Sequence, residues 1–265
     1  MIPKVIHYCW FGGNPLPLLA EKCIASWRKY LPEYEIKEWN ENNFNVNLIT
    51  YTSQAYRAKK YAFVSDYARF WVLYHYGGLY FDTDVEIIRP IDDIIEKGAF
   101  MGTEKPYIAN KVGVKTLGCN PGLGMGCNSG QELLKEILEA YESFHFINPD
   151  GTLHTKTIVD YTTEILNKYG FQYQPGIQKC AGFWIYPKDY FAPKDVDTKE
   201  LVITSNTRSI HHYDASWAEW YDKAAGERGP KLKRIFGKRI GSFMNKLIYV
   251  LHRFVIDKVR KTFEL

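Results

Sequence analysis

Two aspartates separated by one residue, Asp82 and Asp84, are the side chains of this sequence with the clearest potential for chemistry. They follow the apolar segment 79–81, which predicts a buried strand, and with Thr83 they form an acidic turn. Carboxylates at i and i+2 of such a turn can share one hard divalent cation and leave positions for phosphate oxygens and water. The alternative is an ordinary turn in which each Asp bonds nearby backbone.

A second charged pair, Asp66 and Arg69, lies in a segment that is otherwise almost wholly apolar. Because they are three residues apart, both side chains share one face of the helix predicted over residues 54–76. One interpretation is a surface ion pair worth only about 0.5 kcal/mol. The other is that both side chains point into a polar cleft and bind sugar hydroxyls.

The elements that position these residues alternate between strand and helix. Strands are predicted at 3–11, 34–39 and 79–81, and helices at 18–30 and 54–76. This order favours an α/β fold with a mainly parallel sheet, in which ligands bind outside the carboxyl ends of strands. The glycine-rich segment 113–130 predicts a long loop, and helices are expected near 131–144 and 157–169.

Composition restricts the class of protein. With 265 residues, 46% of them hydrophobic, the chain can bury a sizeable core, which argues against disorder. The longest apolar runs are five residues, too short for a membrane span of about 20. The start of the chain lacks a secretory signal pattern, so no export is expected. Five cysteines without CxxC spacing favour a reducing compartment, which predicts a cytoplasmic location.

Charge is distributed unevenly along the chain. Residues 223–265 hold 12 Lys or Arg and 3 Asp or Glu, so the tail carries net +9 and the preceding residues net −5. A main body whose net charge is negative argues against nucleic-acid binding. The change in composition predicts a main domain over residues 1–222 and a basic tail over 223–265.

Several common signatures are missing from the sequence. It contains no GxGxxG, Walker loop, GxSxG elbow or HExxH, which argues against dinucleotide oxidoreductases, P-loop enzymes, serine hydrolases and zincins. A phosphatase of the haloacid dehalogenase type also places a nucleophilic Asp in a DxD after an apolar strand. Those enzymes carry the motif on their first strand, whereas two predicted strands precede it here.

Three linked segments resemble glycosyltransferase family 32, the DxD sugar-binding group that includes yeast-type mannosyltransferases. They are residues 2–13 (IPKVIHYCWFGG), 65–69 (SDYAR) and 76–84 (YGGLYFDTD). A later segment, residues 211–217 (HHYDASW), is similar to the C-terminal His and Ser-Trp region of that group. The resemblance is poor between residues 98 and 209.

The resemblance implies a GT-A type fold, a nucleotide-sugar donor, Mn²⁺ or Mg²⁺, and retention at the anomeric carbon. Trp10 would stack on the nucleotide base, and Phe11 and Gly12 would also bind the nucleotide. Asp66 and Arg69 would hold the donor sugar. The alternative for Trp10 is an ordinary core position.

The resemblance also implies a metal and diphosphate site. Asp82 would contact ribose and sugar, directly or through the metal, and Asp84 would ligate the metal. One of His211 and His212 would complete the coordination, and the doublet leaves the choice open. Ser216 and Trp217 would touch the diphosphate.

The tail from residue 237 onward has apolar residues at spacings of three and four, with basic residues mostly elsewhere. This pattern predicts a basic amphipathic helix. Such a helix can lie on anionic lipid, which would place the protein peripherally on the cytoplasmic face of the inner membrane. Alternatively, its apolar side packs against protein.

Together these features predict a metal-dependent retaining hexosyltransferase acting in surface polysaccharide biosynthesis, such as that of capsule or lipopolysaccharide. The donor would be a UDP-sugar or, as second choice, a GDP-sugar, and the acceptor a saccharide or lipid-linked saccharide. The alternatives are a non-catalytic module that binds sugar nucleotides or glycans, and a DxD phosphatase.

Overall fold

The computed structural model describes residues 1–108, 115–154, 156–172, 174–195, 199–214 and 220–263. Contacts divide the chain into two compact units. The first comprises Met1–Lys194 and Leu201–Tyr213, and the second Asp195–Glu200 and Asp214–Leu265. The acidic turn therefore belongs to the first unit and the basic tail to the second. The domain boundary at residue 222 stays a prediction.

The first unit begins with a βαβ motif, as the alternation of elements predicts. Its elements are β1 (Val5–Cys9), α1 (Leu18–Tyr30) and β2 (Glu35–Trp39), and the two strands pair in parallel. The buried face of α1 carries Trp27, whose indole N–H donates to the carbonyl of Val85 at 2.7 Å. This bond ties α1 to the backbone just beyond the acidic turn.

A central sheet of seven strands carries the acidic turn. Its other strands are β3 (Gly78–Tyr80), β5 (Phe100–Ile108), β6 (Lys115–Cys127), β7 (Gln178–Cys180) and β8 (Phe183–Tyr186). The strand order is β2-β1-β3-β6-β5-β8-β7, and of these β6 and β7 run against the other five. The prediction of an α/β fold with a mainly parallel central sheet is confirmed.

The prediction of a loop over residues 113–130 is wrong, because β6 occupies most of that segment. Glycine is depleted in strands, which is why its abundance favoured a loop. In the structure, neighbouring side chains leave no room for a Cβ at two of these glycines. A Cβ on Gly122 would lie 1.9 Å from Oδ2 of Asp82, and one on Gly126 would lie 2.4 Å from the ring of Phe100. The strand therefore passes directly against the acidic turn.

Six further helices belong to the first unit's described residues. They are α2 (Thr50–Arg57), α3 (Tyr61–Tyr76), α4 (Asp92–Ile95), α5 (Glu132–Glu142), α6 (Ile158–Lys168) and α7 (Lys188–Phe191). The single helix predicted over 54–76 is thus two helices, separated at Lys59, which has a positive φ of 57°. Helix α3 ends at Gly77, as predicted, and leads directly into β3.

A small two-stranded sheet lies beyond the acidic turn. Strand β4 (Val85–Ile87) pairs in antiparallel fashion with β9 (Ser209–His211), with Val85 opposite His211. Pairing at this register brings the histidine doublet to the residues that follow Asp84. Two parts of the sequence that the resemblance linked are therefore neighbours in space.

The second unit contains the helical segment α8 (Trp220–Phe263), which is interrupted at Gly237, where φ is 77°. It begins before the predicted start at residue 237 and consists of two helices joined at that glycine. None of the helices in the described ranges is long and apolar enough to cross a membrane.

His7, in the middle of β1, is a buried histidine that the structure holds neutral. Its Nε2 lies 2.9 Å from the carbonyl of Gly77, and its Nδ1 accepts a hydrogen bond from the indole of Trp39 at 3.1 Å. A second ring proton, on Nδ1, would therefore point at the indole N–H of Trp39 and remove this hydrogen bond. Burial, opposed in part by the Gly77 bond, lowers the pKa of His7 to about 4 from its usual 6.5.

This lowered pKa predicts acid sensitivity. The unfolded chain takes up the proton as the pH falls through 6.5, whereas the folded chain resists until about 4, so stability is lost in that window. We expect the wild type to have a higher unfolding free energy than His7→Gln. This difference should shrink by about 3 kcal/mol as the pH falls from 6.5 to about 4. Urea unfolding at several pH values measures this. Exposed His145→Gln is the control, and an advantage independent of pH would contradict the prediction.

Candidate functional site

Arg69 connects two acidic residues that are separate in the sequence. Its Nη2 lies 2.8 Å from Oδ1 of Asp66 and 3.3 Å from Oδ1 of Asp82. The arginine side chain is 5% exposed and that of Asp66 is 13% exposed, so this is not a surface ion pair. Helix α3 therefore brings its charged pair to the carboxyl end of β3, where Asp82 follows.

Burying these charged side chains costs free energy, so packing alone does not explain why they are here. Burial raises the pKa of Asp66 to about 6, while Arg69 opposes the shift and the charge of Asp82 adds to it. Buried ion pairs can often be replaced by apolar residues without loss of stability. Charged groups held together at the end of a strand are thus better explained by ligand binding than by stability.

Backbone and side-chain contacts fix Asp82 over the glycine-rich strand. Its N–H donates to the carbonyl of Gly122 at 3.0 Å, and the hydroxyl of Tyr80 donates to its Oδ1 at 3.1 Å. The carbonyl of Asp82 accepts from the N–H of Val85, which closes the turn. The orientation of this carboxylate is therefore set by both β3 and β6.

Asp84 is paired with one histidine of the doublet. Nε2 of His211 lies 3.1 Å from Oδ1 of Asp84, whereas Nε2 of His212 lies 2.8 Å from Oε2 of Glu86. Burial by itself lowers the pKa of His211, but the charge and hydrogen bond of Asp84 outweigh this effect and raise it. The geometry thus favours His211 over His212 as the partner of the acidic turn.

The donor atoms here suit a hard or borderline divalent cation. Carboxylate oxygens from Asp82 and Asp84 and an imidazole nitrogen from His211 are ligand types that Mn²⁺ accepts. As the described side chains stand, no three or more His, Cys, Asp or Glu are arranged closely enough to hold a metal ion. The Asp84–His211 hydrogen bond would have to open for both groups to bind one cation.

The predicted base-binding segment follows the carboxyl end of β1. Trp10 is partly buried, and its indole N–H donates to the carbonyl of Asn14 at 2.6 Å, which fixes the ring. The side chain of Phe11 is buried, and its ring lies 5.8 Å from the ring of Phe44. Only the backbone of Phe11 is available to a ligand.

Gly12 needs to be glycine for two reasons. Its φ is +97°, and a Cβ there would lie 2.3 Å from the ring of Tyr61. Its N–H donates to the carboxylate of Glu41, which stabilises the turn beside Trp10. Ser216 and Trp217, which the resemblance assigns to the diphosphate, lie outside the described residues.

Two polar residues near the turn were missed by the sequence reasoning. Asn120, in β6, donates from Nδ2 to Oε2 of Glu104 at 2.9 Å and accepts at Oδ1 from the N–H of Gly122 at 2.8 Å. Burial lowers the pKa of His211, and the charge of Glu104 adds to the larger influence of Asp84 that raises it overall. An Asn next to Pro121 within the glycine-rich segment was the available signal, but that segment was interpreted as a loop.

Comparison with known proteins connects this geometry to a family. A family profile described as "Glycosyltransferase sugar-binding region containing DXD motif" matches residues 17–101, which include Asp66, Arg69 and the acidic turn. Inositol phosphoceramide mannosyltransferase 1 of Schizosaccharomyces pombe is 29% identical over 111 residues, 38% of this chain and 33% of that protein. Over residues 17–101 the chain is therefore similar to the sugar-binding region of DXD glycosyltransferases.

Other glycosyltransferases are similar over different extents. Inositol phosphoceramide mannosyltransferase 3 of the same yeast is 27% identical over 157 residues, 55% of this chain and 38% of that protein. The alignments thus span only 33% and 38% of the two curated relatives. Among solved structures, the PaToxG glycosyltransferase has a TM-score of 0.46 and 17% identity, covering 63% of this chain and 69% of that one. The mixed α/β sheet is consistent with a GT-A type fold.

Proposed function

We propose that this DXD glycosyltransferase relative transfers a hexose from a nucleotide diphosphate sugar to a saccharide acceptor with retention at the anomeric carbon. The observation that carries the proposal is the buried Arg69, which joins Asp66 of α3 to Asp82 at the carboxyl end of β3. Such ends are where open α/β sheets bind their ligands. The same residues fall within the matched DXD profile.

Asp66 and Arg69 are well suited to hold the donor sugar. A carboxylate accepts hydrogen bonds from hydroxyl groups and a guanidinium donates to them, so the pair can bind neighbouring hydroxyls of a sugar ring. Because Arg69 is buried and bonded on two sides, its position is already set before the donor arrives. Preorganised polar groups of this kind stabilise a reacting ligand without first reorganising.

Asp82, Asp84 and His211 would hold the divalent cation, Mn²⁺ or Mg²⁺. When bound, such a cation would neutralise charge that develops on the diphosphate leaving group. Asp82 would also contact ribose and sugar, with its carboxylate held by Tyr80 and Arg69. Trp10, fixed at the carboxyl end of β1, would stack on the base, an interaction worth about 1 to 3 kcal/mol.

The donor and acceptor are proposed by class. A UDP-sugar is the first candidate and a GDP-sugar the second, and both yeast relatives are named as mannosyltransferases, which supports a hexose. The acceptor would be a saccharide or lipid-linked saccharide in surface polysaccharide biosynthesis, such as capsule or lipopolysaccharide. A cytoplasmic location is supported by five free cysteines, all of them buried.

A thermal-shift screen of UDP-glucose, UDP-galactose and GDP-mannose, each with Mn²⁺, Mg²⁺ or chelator, tests the proposal. A donor present at a hundred times its Kd should stabilise the fold by about 2.7 kcal/mol, and the effect should depend on the cation. The donor that binds is then assayed for hydrolysis and for transfer to saccharides.

Each outcome of that screen has a defined meaning. Binding followed by release of free sugar or transfer supports the proposal, whereas binding without any turnover favours a non-catalytic module. Metal-dependent release of phosphate from simple monoesters, with no donor binding, would instead identify a phosphatase. Failure of all donors to bind, with or without cation, would overturn the proposal.

A further inference from the structure

The second unit contains an antiparallel helical hairpin whose turn is Gly237. Nε of Arg228 donates to Oδ1 of Asn245 at 3.0 Å, and Nδ2 of Asn245 donates to the carbonyl of Ala225 at 2.9 Å. Both contacts join positions on either side of residue 237. The two arms therefore run back along one another and are held together by a polar bridge.

The arms approach closely near the turn. A Cβ added to Gly241 would lie 2.5 Å from the carbonyl of Leu232, and one added to Gly229 would lie 2.9 Å from Nδ2 of Asn245. Glycines at these contacts let the two helix backbones pack with little side chain between them. These close contacts therefore fix where the chain turns within this unit.

Large apolar side chains at the turn and along the second arm are exposed. Those that are between 46% and 68% exposed are Ile235, Phe236, Ile240, Phe243, Leu247, Val250, Leu251, Phe254 and Val255. On the second arm they recur at spacings of three and four, which places them along one side of the helix. A contiguous apolar surface of this kind normally marks an interaction site.

The charge around this surface has one sign. Residues 228–256 contain eight Lys or Arg and no Asp or Glu. Lys231, Lys233, Arg234 and Arg239 are exposed within eight positions of the turn. A second copy of the chain would bring the same positive charge, so self-association through this surface would be opposed by repulsion. An anionic lipid surface provides both the opposite charge and an apolar layer beneath it.

We propose that the hairpin binds anionic bilayers by inserting the apolar side chains around Gly237 below the headgroups, while the basic residues contact lipid phosphates. Insertion is shallow, because the exposed apolar surface lies along one side of the hairpin. This binding mode differs from a single helix lying flat from residue 237, since Ile235 and Phe236 of the first arm enter the lipid together with the second arm.

Vesicle cosedimentation of the full chain tests the proposal. The vesicles contain phosphatidylcholine alone or phosphatidylcholine and phosphatidylglycerol in equal parts. Phe236→Ser combined with Phe243→Ser should weaken binding to the anionic vesicles by at least about tenfold, because two phenyl side chains no longer leave water. Lys233→Gln and Arg234→Gln should each weaken it by about fivefold, and added salt should have a similar effect.

Matched controls separate this surface from the rest of the protein. Leu18→Ser removes an exposed apolar side chain on α1, and Lys29→Gln and Lys135→Gln remove exposed charges from α1 and α5. These variants should bind vesicles as the wild type does. Circular dichroism confirms that each hairpin variant keeps its helices.

Three results would overturn the proposal. The first is no binding to anionic vesicles. The second is equal binding to neutral vesicles, which would show that charge has no part. The third is a dimeric mass by sedimentation that Phe236→Ser with Phe243→Ser converts to a monomer without any change in lipid binding, which would identify a protein partner instead.

Discussion

Asp84→Asn should lower donor turnover by at least about a hundredfold while leaving the fold intact. The substitution removes one anionic oxygen from a site that must carry charge, and the amide nearly preserves the shape of the side chain. Because Asp84 pairs with His211 at the start of the β4–β9 sheet, its loss affects the proposed cation site and not the core. The measurement is kcat/KM for donor hydrolysis, with the thermal midpoint as the check on folding.

Controls for this prediction come from the same region. Asp92→Asn removes an exposed carboxylate from α4 and should leave turnover unchanged. His211→Gln should resemble Asp84→Asn, whereas His212→Gln should retain most activity, since His212 pairs with Glu86. Full activity in Asp84→Asn would contradict the proposed role of Asp84 as a metal ligand.

Arg69→Met should destabilise the protein by about 3 to 5 kcal/mol, because it leaves two carboxylates close together without their shared counter-charge. Methionine fills a similar volume, so the loss reports charge more than packing. Urea unfolding measures it. Adding Asp66→Asn to the same protein should restore part of the stability, because one buried charge is then removed. Wild-type stability in Arg69→Met would contradict this account of the cluster.

Alanine substitutions at the same two residues should separate sugar binding from nucleotide binding. Asp66→Ala and Arg69→Ala should weaken binding of the intact donor much more than binding of the free nucleoside diphosphate. Titration calorimetry with both ligands and Mn²⁺ gives the two affinities. Equal losses on both ligands would place the pair away from the sugar.

Much of the first unit could be predicted because it obeys local rules. The spacing of Asp66 and Arg69 fixes them on one helix face, and Gly77 ends that helix where a strand begins. Whether the pair lay at the surface or in a cleft could not be predicted, because that depends on Asp82 arriving from β3. The same limit applied to His211 and His212, whose sequence order says nothing about which one faces Asp84.

Two errors share a physical cause, namely that tertiary contacts override local preference. Gly122 and Gly126 are poor strand residues by propensity, yet the side chains of Asp82 and Phe100 leave room for nothing larger. Missing this strand also hid Asn120, and with it Glu104.

The pairing of β4 with β9 has a consequence for how the protein is made. Glu86 and His212 are 126 positions apart in the sequence, so a ribosome adding roughly 5 to 20 residues per second needs about ten seconds to deliver the second strand. During that interval β4 has an open edge and Asp84 lacks His211. A nascent chain that stalls before Ser209 would therefore lack both the β4–β9 pairing and the Asp84–His211 contact, although its DXD turn is already complete.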